Sequence, residues 1–325
     1  MLHPAVKITL SVLVIIVTGA VLAPAVFFLG KAYAAWGADN WVQSVPPLEF
    51  VRDAADRSGF TRYFNRAILV AAIVWLLPLW RWLAADDPRY QVPMIGFRPL
   101  DRRALGHALL GFGLAAGMLA VLGWLLLRGD LFRWSEPPKW NAWTGALTAG
   151  VAVALLEEWF FRGLLFAILR RAWSTAKALI FLTLFFALIH FLKPPEGTEI
   201  VAADVSWASG FHLLGLIFGS FGDVDFLLAE FAMLTAVGLV LGLAVLRTGT
   251  LWLAIGLHAG WVFGLKWFGA LTRTTRDLRD GDWLPWMGTN LKIGLWPLAA
   301  VALTGVLALL LAGRPRRPGG DHQNP

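Results

Sequence analysis

Apolar stretches long enough to cross a bilayer recur eight times along the chain. A spanning helix needs roughly 20 apolar residues, because it rises about 1.5 Å per residue through a hydrocarbon core about 30 Å thick. A segment in lipid must also satisfy its own backbone hydrogen bonds, which a helix does. The sequence therefore predicts an all-α polytopic membrane helical bundle of about eight transmembrane helices, at residues 6–29, 65–84, 104–127, 142–170, 176–192, 226–246, 250–269 and 291–312.

The overall composition agrees with a membrane protein and excludes several functional classes. Hydrophobic residues make up 58% of the chain and charged residues 15%, against about 25% charged in an ordinary soluble domain. The net charge of +7 comes from basic residues in short loops and in the C-terminal tail, so we predict no nucleic-acid partner. Cysteine is absent, which excludes disulfides, thiolate metal ligands and a cysteine nucleophile.

The distribution of basic residues predicts the orientation of an integral membrane protein. Basic residues concentrate in the loop after the second predicted span, in the link 170–177 and in the tail, which share one side of an eight-span topology. Positive charge favours the cytoplasmic side, so both termini are predicted to be cytoplasmic. The residues of the loop and the tail are Arg81, Arg89, Arg98, Arg102, Arg103, Arg314, Arg316 and Arg317.

The first predicted span has two interpretations. The sequence Ala32-Tyr33-Ala34 resembles the small-residue cleavage site of a signal peptide. The apolar run before it is longer than the usual apolar region of a signal peptide, which is about 7–15 residues. An uncleaved helix is therefore favoured.

Three charged residues interrupt the fourth predicted span. Glu157, Glu158 and Arg162 are flanked by more than a helical turn of apolar residues on both sides. Carboxylates are costly in hydrocarbon, so an intramembrane ionisable residue is a functional-site hypothesis by default. Glu158 and Arg162 have the i,i+4 spacing of an intrahelical ion pair, which would neutralise Glu158 and leave Glu157 reactive. The alternative is a structural ion-pair network that bridges helices.

Two histidines in other predicted spans are candidates to meet Glu157. His190 lies near the end of the fifth span and His258 within the seventh, at depths that match Glu157 once the helices tilt. A carboxylate among apolar neighbours can act as a general base toward water, one imidazole can orient that water, and another can stabilise an oxyanion. The alternative for each histidine is a structural hydrogen bond to a neighbouring helix. His212 is predicted to be structural, in a loop or re-entrant turn.

A zinc site is the second chemical possibility for this set. One glutamate and two histidines form a plausible zinc set with an open position. However, the ligands come from three separate helices and the chain contains no His-Glu-x-x-His sequence. Water activation without a metal is favoured, and no cofactor is predicted. No serine, cysteine or lysine lies in a motif typical of a covalent nucleophile.

These residues resemble the three motifs of the CPBP family, which comprises CAAX-processing type II endopeptidases and bacteriocin-processing (Abi) intramembrane proteases. The resemblance covers about residues 142–269, and the motifs follow one another in the family's order. They are Glu157-Glu158-x-x-x-Arg162, Phe186-x-x-x-His190, and His258 after Gly249-x-Leu-Trp-x-x-Ile255.

The resemblance implies a helical membrane bundle that hydrolyses peptide bonds with a glutamate-activated water. It implies that Glu157 is the general base, that His190 orients the water and that His258 belongs to the oxyanion site. Glu158 and Arg162 would then be supporting residues, together with Phe186 of the second motif. The predicted substrate is a membrane-embedded or lipid-anchored peptide or protein in the bilayer of a bacterial inner (plasma) membrane.

One position departs from the family's pattern. The third motif usually carries Asn or Asp four residues after its histidine, and this chain has Val262 there. Losing one oxyanion donor typically costs a hundred- to a thousandfold in rate. Either another donor substitutes, with Trp261 Nε1 as the candidate, or the protein is a non-catalytic membrane binding or bacteriocin-immunity protein on the same scaffold.

We predict three regions along the chain. Residues 1–141 hold N-terminal transmembrane helices and loops, and residues 142–269 form the catalytic core. Residues 270–325 contain an outer loop, the last span and a polar tail that is predicted to be disordered.

Overall fold

The computed structural model describes residues 2–38, 40–86, 100–192, 194, 197–219, 224–275, 277–278 and 281–313. The described chain is almost entirely helical, which confirms the predicted fold class. The α-helices are α1 (Pro4–Ala38), α2 (Pro46–Arg57), α3 (Phe60–Asp86), α4 (Arg102–Arg128), α5 (Trp143–Glu158), α6 (Phe166–Ala172), α7 (Thr175–His190), α8 (Ser209–Gly219), α9 (Val224–Thr248), α10 (Trp252–Leu271) and α11 (Leu295–Leu311). A π-helical segment, Trp159–Leu165, joins α5 to α6. Strands β1 (Phe132–Trp134) and β2 (Thr272–Thr274) pair antiparallel.

Each of the eight predicted spans lies mostly within residues that are helical in the structure. Within the described residues, four helices are long and apolar enough to cross a membrane, and shorter apolar helices accompany them. The predicted count of eight spans stays a prediction. The long helices are Pro4–Ala38, Phe60–Leu83, Arg102–Arg128 and Leu228–Thr248, and the shorter ones are Thr175–His190, Ser209–Gly219 and Leu295–Leu311.

Two helices lie where loops were predicted. The amphipathic α2 begins at a proline and carries charged residues along one face, whereas α8 is apolar but only 11 residues long. A search for spans of about 20 apolar residues misses both kinds of helix. The expectation that His212 lies in a loop or re-entrant turn is wrong, because this residue belongs to α8.

Some of the predicted features lie outside the described residues. These are Arg89 and Arg98 of the basic loop and the whole polar tail, 314–325. The first helix continues through Ala32–Ala34 without a break. Asp101 caps the start of α4, since its carboxylate accepts a hydrogen bond from the Ala104 backbone N–H at 2.7 Å.

The chain divides into two compact units. Unit 1 contains Met1–Val92 and Phe191–Asp223, and unit 2 contains Pro93–His190 and Val224–Pro325. In unit 1, α1 packs on α3 around buried aromatic residues that include Phe27, Phe60 and Tyr63, and α8 adds Leu213 and Ile217 to the same core. The division into three regions predicted from the sequence stays a prediction.

Unit 2 holds all the residues of the three motifs and contains two helical hairpins, of which the second packs on α4 through α10 and on the first through α9 and α7. In the first hairpin, the link Trp173–Ser174 turns the chain from α6 into α7. In the second, Gly249 adopts a φ of 69° and ends α9, and α10 begins three residues later. A positive φ suits glycine, which has no Cβ to clash. Each hairpin therefore places residues equally distant from its turn at the same depth.

Helix α10 lies in close contact with α4 because glycines line their interface. A Cβ at Gly256 would lie 2.1 Å from the carbonyl oxygen of Ala108, and one at Gly260 would lie 2.6 Å from that of Phe112. Real Cβ atoms do not approach that closely, so any larger residue must separate the helices. Small residues at such interfaces let two membrane helices pack backbone to backbone. This contact sets the position of His258 on α10.

The Gly256→Ala substitution should therefore destabilise the protein, whereas Gly117→Ala on α4 should not. A Cβ at Gly117 has no atom within 4 Å. Overpacking a tight interface costs about 1–3 kcal/mol, while Gly→Ala in an open helix position favours the helix by up to about 1 kcal/mol. Thermal unfolding in detergent would check this. Equal melting temperatures for the two variants would contradict it.

Candidate active site

The two hairpins of unit 2 bring the motif residues to one depth. Arg162 lies 10 residues before the end of α6 at Ala172, and Phe186 lies 11 residues after the start of α7 at Thr175. Both are thus about 15 Å from their turn at 1.5 Å per residue. In the second hairpin, His258 on α10 and Gly238 on α9 occupy comparable depths on either side of Gly249. The tertiary contacts described below join these four positions.

The glutamates stand at a change in helix type. Glu157 and Glu158 are the last two residues of α5, and the π-helical segment starts directly after them. Residues 161–165 of that segment are all buried, so neighbouring helices surround it. Short π-helical insertions are frequent at functional sites. Here the insertion carries Arg162 and separates the glutamates from the regular helix α6.

Glu158 is the centre of a fully buried polar network. Its Oε1 accepts hydrogen bonds from Arg162 Nη1 at 2.9 Å and from His258 Nδ1 at 2.7 Å. Arg162 Nη2 also donates to the Gly238 carbonyl at 3.2 Å. The side chains of Glu158 and Arg162 both have an exposed fraction of 0%. The ion pair predicted from the i,i+4 spacing is therefore present, and it additionally holds His258 and α9.

Phe186 lies between the ion pair and His190. Its ring is 4.4 Å from the Arg162 guanidinium and its centroid is 4.3 Å from that of the His190 ring. The backbone carbonyl of Phe186 accepts a hydrogen bond from His190 Nδ1 at 2.8 Å. A carbonyl can only accept, so Nδ1 of His190 carries the proton and Nε2 faces the rest of the site.

Both imidazoles direct Nε2 toward Glu157. Its Oε2 lies 3.6 Å from His190 Nε2 and 3.9 Å from His258 Nε2. These distances exceed a direct hydrogen bond of about 2.7–3.2 Å and leave the atoms close enough to contact a common small group. Glu157 has a side-chain exposure of 30%, whereas Glu158 has none. The Glu157 side chain is thus the more exposed of the two, whereas its Oε2, the oxygen that faces the histidines, is itself buried and has no hydrogen-bond partner in the described part of the chain.

The third and fourth residues after His258 differ in exposure. Trp261 is 4% exposed, and its Nε1 is a buried donor with no hydrogen-bond partner in the described part of the chain. Val262, one helical turn after His258, is only partly buried and has no polar group to offer. The sequence prediction that Trp261 supplies a donor stays a prediction, since nothing shows its indole reaching Glu157.

Within the described ranges, no group of three or more His, Cys, Asp or Glu side chains has an arrangement that could hold a metal ion. The prediction that no cofactor is needed stays a prediction.

Sequence reasoning missed three parts of this site. The π-helical segment, the Glu158–His258 hydrogen bond and the Gly238 carbonyl are not visible in the motifs. No side-chain chemistry marks Gly238, and the other two depend on how α5 and α10 face each other. His212 belongs to the other unit and is not among the residues that the structure brings together.

The comparison with known families identifies this part of the chain. Residues 139–264 match the family model of type II CAAX prenyl endopeptidases, Rce1-like. The match contains Glu157, His190 and His258, and it agrees with the family resemblance predicted from the sequence. No curated protein and no solved structure matches the chain.

The buried ion pair of this Rce1-like segment should be essential for folding. Arg162→Met removes the cation from a carboxylate that has no access to water, which typically costs about 3–5 kcal/mol. Arg170→Met, in the same helical run but exposed, should cost far less. Purification yield and thermal unfolding in detergent would measure both. The double variant Glu158→Gln/Arg162→Met should regain part of the lost stability, and a double variant no better than Arg162→Met would contradict the pairing.

Proposed function

We propose that this protein is an intramembrane endopeptidase that hydrolyses a membrane-embedded or lipid-anchored peptide with a glutamate-activated water. The observation that carries the proposal is the convergence of Glu157 Oε2 with Nε2 of His190 and of His258, at 3.6 and 3.9 Å. The three groups belong to three helices and to the three family motifs. A purely structural histidine pair would not need Nε2 of both rings directed at one partly exposed glutamate.

The reaction begins with a water between Glu157 and His190. Glu157 removes a proton from the water, and the resulting hydroxide attacks the carbonyl carbon of the scissile peptide bond. His190 holds the water through Nε2, which accepts a hydrogen bond because Nδ1 donates to the Phe186 carbonyl. The proton on Glu157 then passes to the leaving nitrogen as the C–N bond breaks, so the carboxylate is regenerated.

His258 stabilises the negative oxygen of the tetrahedral intermediate. Glu158 Oε1 accepts a hydrogen bond from Nδ1–H of His258 at 2.7 Å, and Nε2 of the same ring faces Glu157. In the proposed reaction, Nε2 of His258 carries a second proton and donates a hydrogen bond to the oxyanion beside Glu157. Arg162 holds Glu158 in place through a hydrogen bond of 2.9 Å, so this pair acts through His258 and not on the substrate. The i,i+4 spacing predicted that Arg162 neutralises Glu158 and leaves Glu157 reactive. In the proposed mechanism this pair also holds His258.

A second candidate function is a non-catalytic membrane binding or immunity protein. Val262 is the observation that favours it, because the family's second oxyanion donor is absent at that position. The two functions differ in whether Glu157 is needed for cleavage of a peptide bond. Wild type and Glu157→Ala, each co-expressed with a library of membrane-anchored peptides, separate them. Identical peptide products from both proteins would reject the protease and leave the binding protein.

Glu157→Gln should reduce cleavage to background while the melting temperature stays close to wild type. The amide cannot take a proton from water, yet it has nearly the same shape, and Glu157 carries no buried ion pair with an arginine or lysine. General-base catalysis contributes typically about 10²–10⁴-fold. Cleavage rate and thermal unfolding of purified protein are the two measurements. Substantial remaining cleavage by a folded variant would exclude Glu157 as the base.

The proposed placement of the oxyanion beside α10 predicts opposite effects of substitutions at two positions of this helix that lie one turn apart. His258→Ala removes the remaining donor and should lower turnover to background, since one such donor is worth about 10²–10³-fold. Val262→Asn restores the amide that the family usually carries and should keep or raise the rate. Val262→Leu is the matched control without a donor, and Michaelis–Menten kinetics would rank the three. A Val262→Asn variant slower than Val262→Leu would contradict this placement of the oxyanion.

A further inference from the structure

A small β-ribbon carries two directly opposed arginines at the end of unit 2 where α4 ends. In the antiparallel pair of β1 and β2, Arg133 is opposite Arg273. Opposed residues of an antiparallel pair project on the same face of the ribbon, with Cβ atoms about 4.5–5.5 Å apart. The flanking hydrogen bonds, Ser135 N to Leu271 O and Thr275 N to Leu131 O, hold this register.

The two faces of the ribbon differ in environment. On one face Phe132 and Thr272 are buried and Trp134 is about half exposed, and the Phe132 ring contacts Phe268 of α10 at a centroid distance of 5.1 Å. The opposite face presents Arg133 and Arg273, both exposed. Neither arginine forms an ion pair with another residue in the described part of the chain. Like charges at directly opposed positions destabilise a strand pair, and an anion bound between the two arginines would offset that repulsion.

Tryptophans surround the ribbon and indicate its depth. Trp134 and Trp140 have centroids 5.4 Å apart, Trp140 and Trp267 6.5 Å, and Trp134, Trp140 and Trp143 are each about half exposed. Tryptophan concentrates at the headgroup level of membranes. Helix α4 has 27 residues and is thus about 40 Å long, more than the hydrocarbon thickness of about 30 Å. Its end, where the ribbon starts, therefore extends into the headgroup region.

We propose that Arg133 and Arg273 together bind the phosphate of an anionic phospholipid headgroup. Two guanidinium groups on one rigid face supply several N–H donors to phosphate oxygens, a geometry that arginine provides and lysine does not. The tryptophans pack beside the same headgroup region and keep the ribbon at its level. This site is separate from Glu157 and does not depend on the proposed reaction.

Native mass spectrometry of the purified full-length protein would test the site by counting retained lipids. We expect Arg133→Gln/Arg273→Gln to retain one phosphatidylglycerol fewer than wild type after exchange into mixed phosphatidylglycerol and phosphatidylcholine micelles. Its preference for the anionic lipid at this site should fall about tenfold, given the attraction of each basic residue near an anionic surface. The control Lys139→Gln/Lys266→Gln removes the same charge from exposed positions nearby and should keep the wild-type count.

Three outcomes would overturn the proposal. Equal losses in the two double variants would mean that total charge, and not the opposed pair, attracts the lipid. An unchanged count in Arg133→Gln/Arg273→Gln would mean that the arginines bind no headgroup. Displacement of the retained lipid by inorganic phosphate would mean that the site takes free anions. Thermal unfolding of Arg133→Lys/Arg273→Lys, which keeps both charges, separates loss of folding from loss of binding, and this variant should bind the lipid more weakly than wild type.

Discussion

The buried ion pair between Glu158 and Arg162 is the interaction on which the candidate site depends. Both side chains are fully buried, and a single oxygen of Glu158 accepts from Arg162 and from His258. Arg162 reaches the Gly238 carbonyl with its other end. Removing either charge leaves the other in a medium of low dielectric constant, which is why the pair acts as one element. It joins α5, α9 and α10 at one point.

The site combines a group of buried side chains with one partly exposed glutamate. Glu158, Arg162 and Phe186 are buried and contact one another, so they set the positions of His258 and His190. Glu157 is adjacent in sequence but partly exposed, and it has no comparable pair. A catalytic carboxylate must exchange protons and meet a substrate, whereas a structural one must be neutralised. Adjacent residues on one helix end meet these two needs because they project about 100° apart.

Glycine contacts supply the precision that such a site requires. Gly256 and Gly260, which lie two residues before and two residues after His258, bring α10 against the backbone of α4. In lipid, helix association depends on packing and hydrogen bonds more than on hydrophobic burial. Close backbone packing therefore restrains the helix axis where side-chain polarity alone would not. A displacement of His258 by about 1 Å would disturb both of its carboxylate contacts.

The sequence by itself determined the helical membrane class and the positions of apolar segments that the structure shows as helix, and it pointed to Glu157, His190 and His258 as candidates to meet. The length of an apolar segment and the presence of a charge within it are properties of one stretch of sequence, so both can be recognised without knowing any contact between helices. It did not reveal α2 and α8, because an amphipathic helix and an 11-residue helix fall below the length that a span requires.

Only the tertiary structure decided which glutamate is buried, which nitrogen of each histidine faces Glu157 and which backbone carbonyl accepts from Arg162. Glu157 and Glu158 are chemically identical, and their roles differ because the neighbouring helices cover one and leave the other accessible. The opposed arginines of the ribbon likewise lie 140 positions apart in the chain and meet only through strand pairing. Such differences arise from packing between distant segments, which no local pattern of residues encodes.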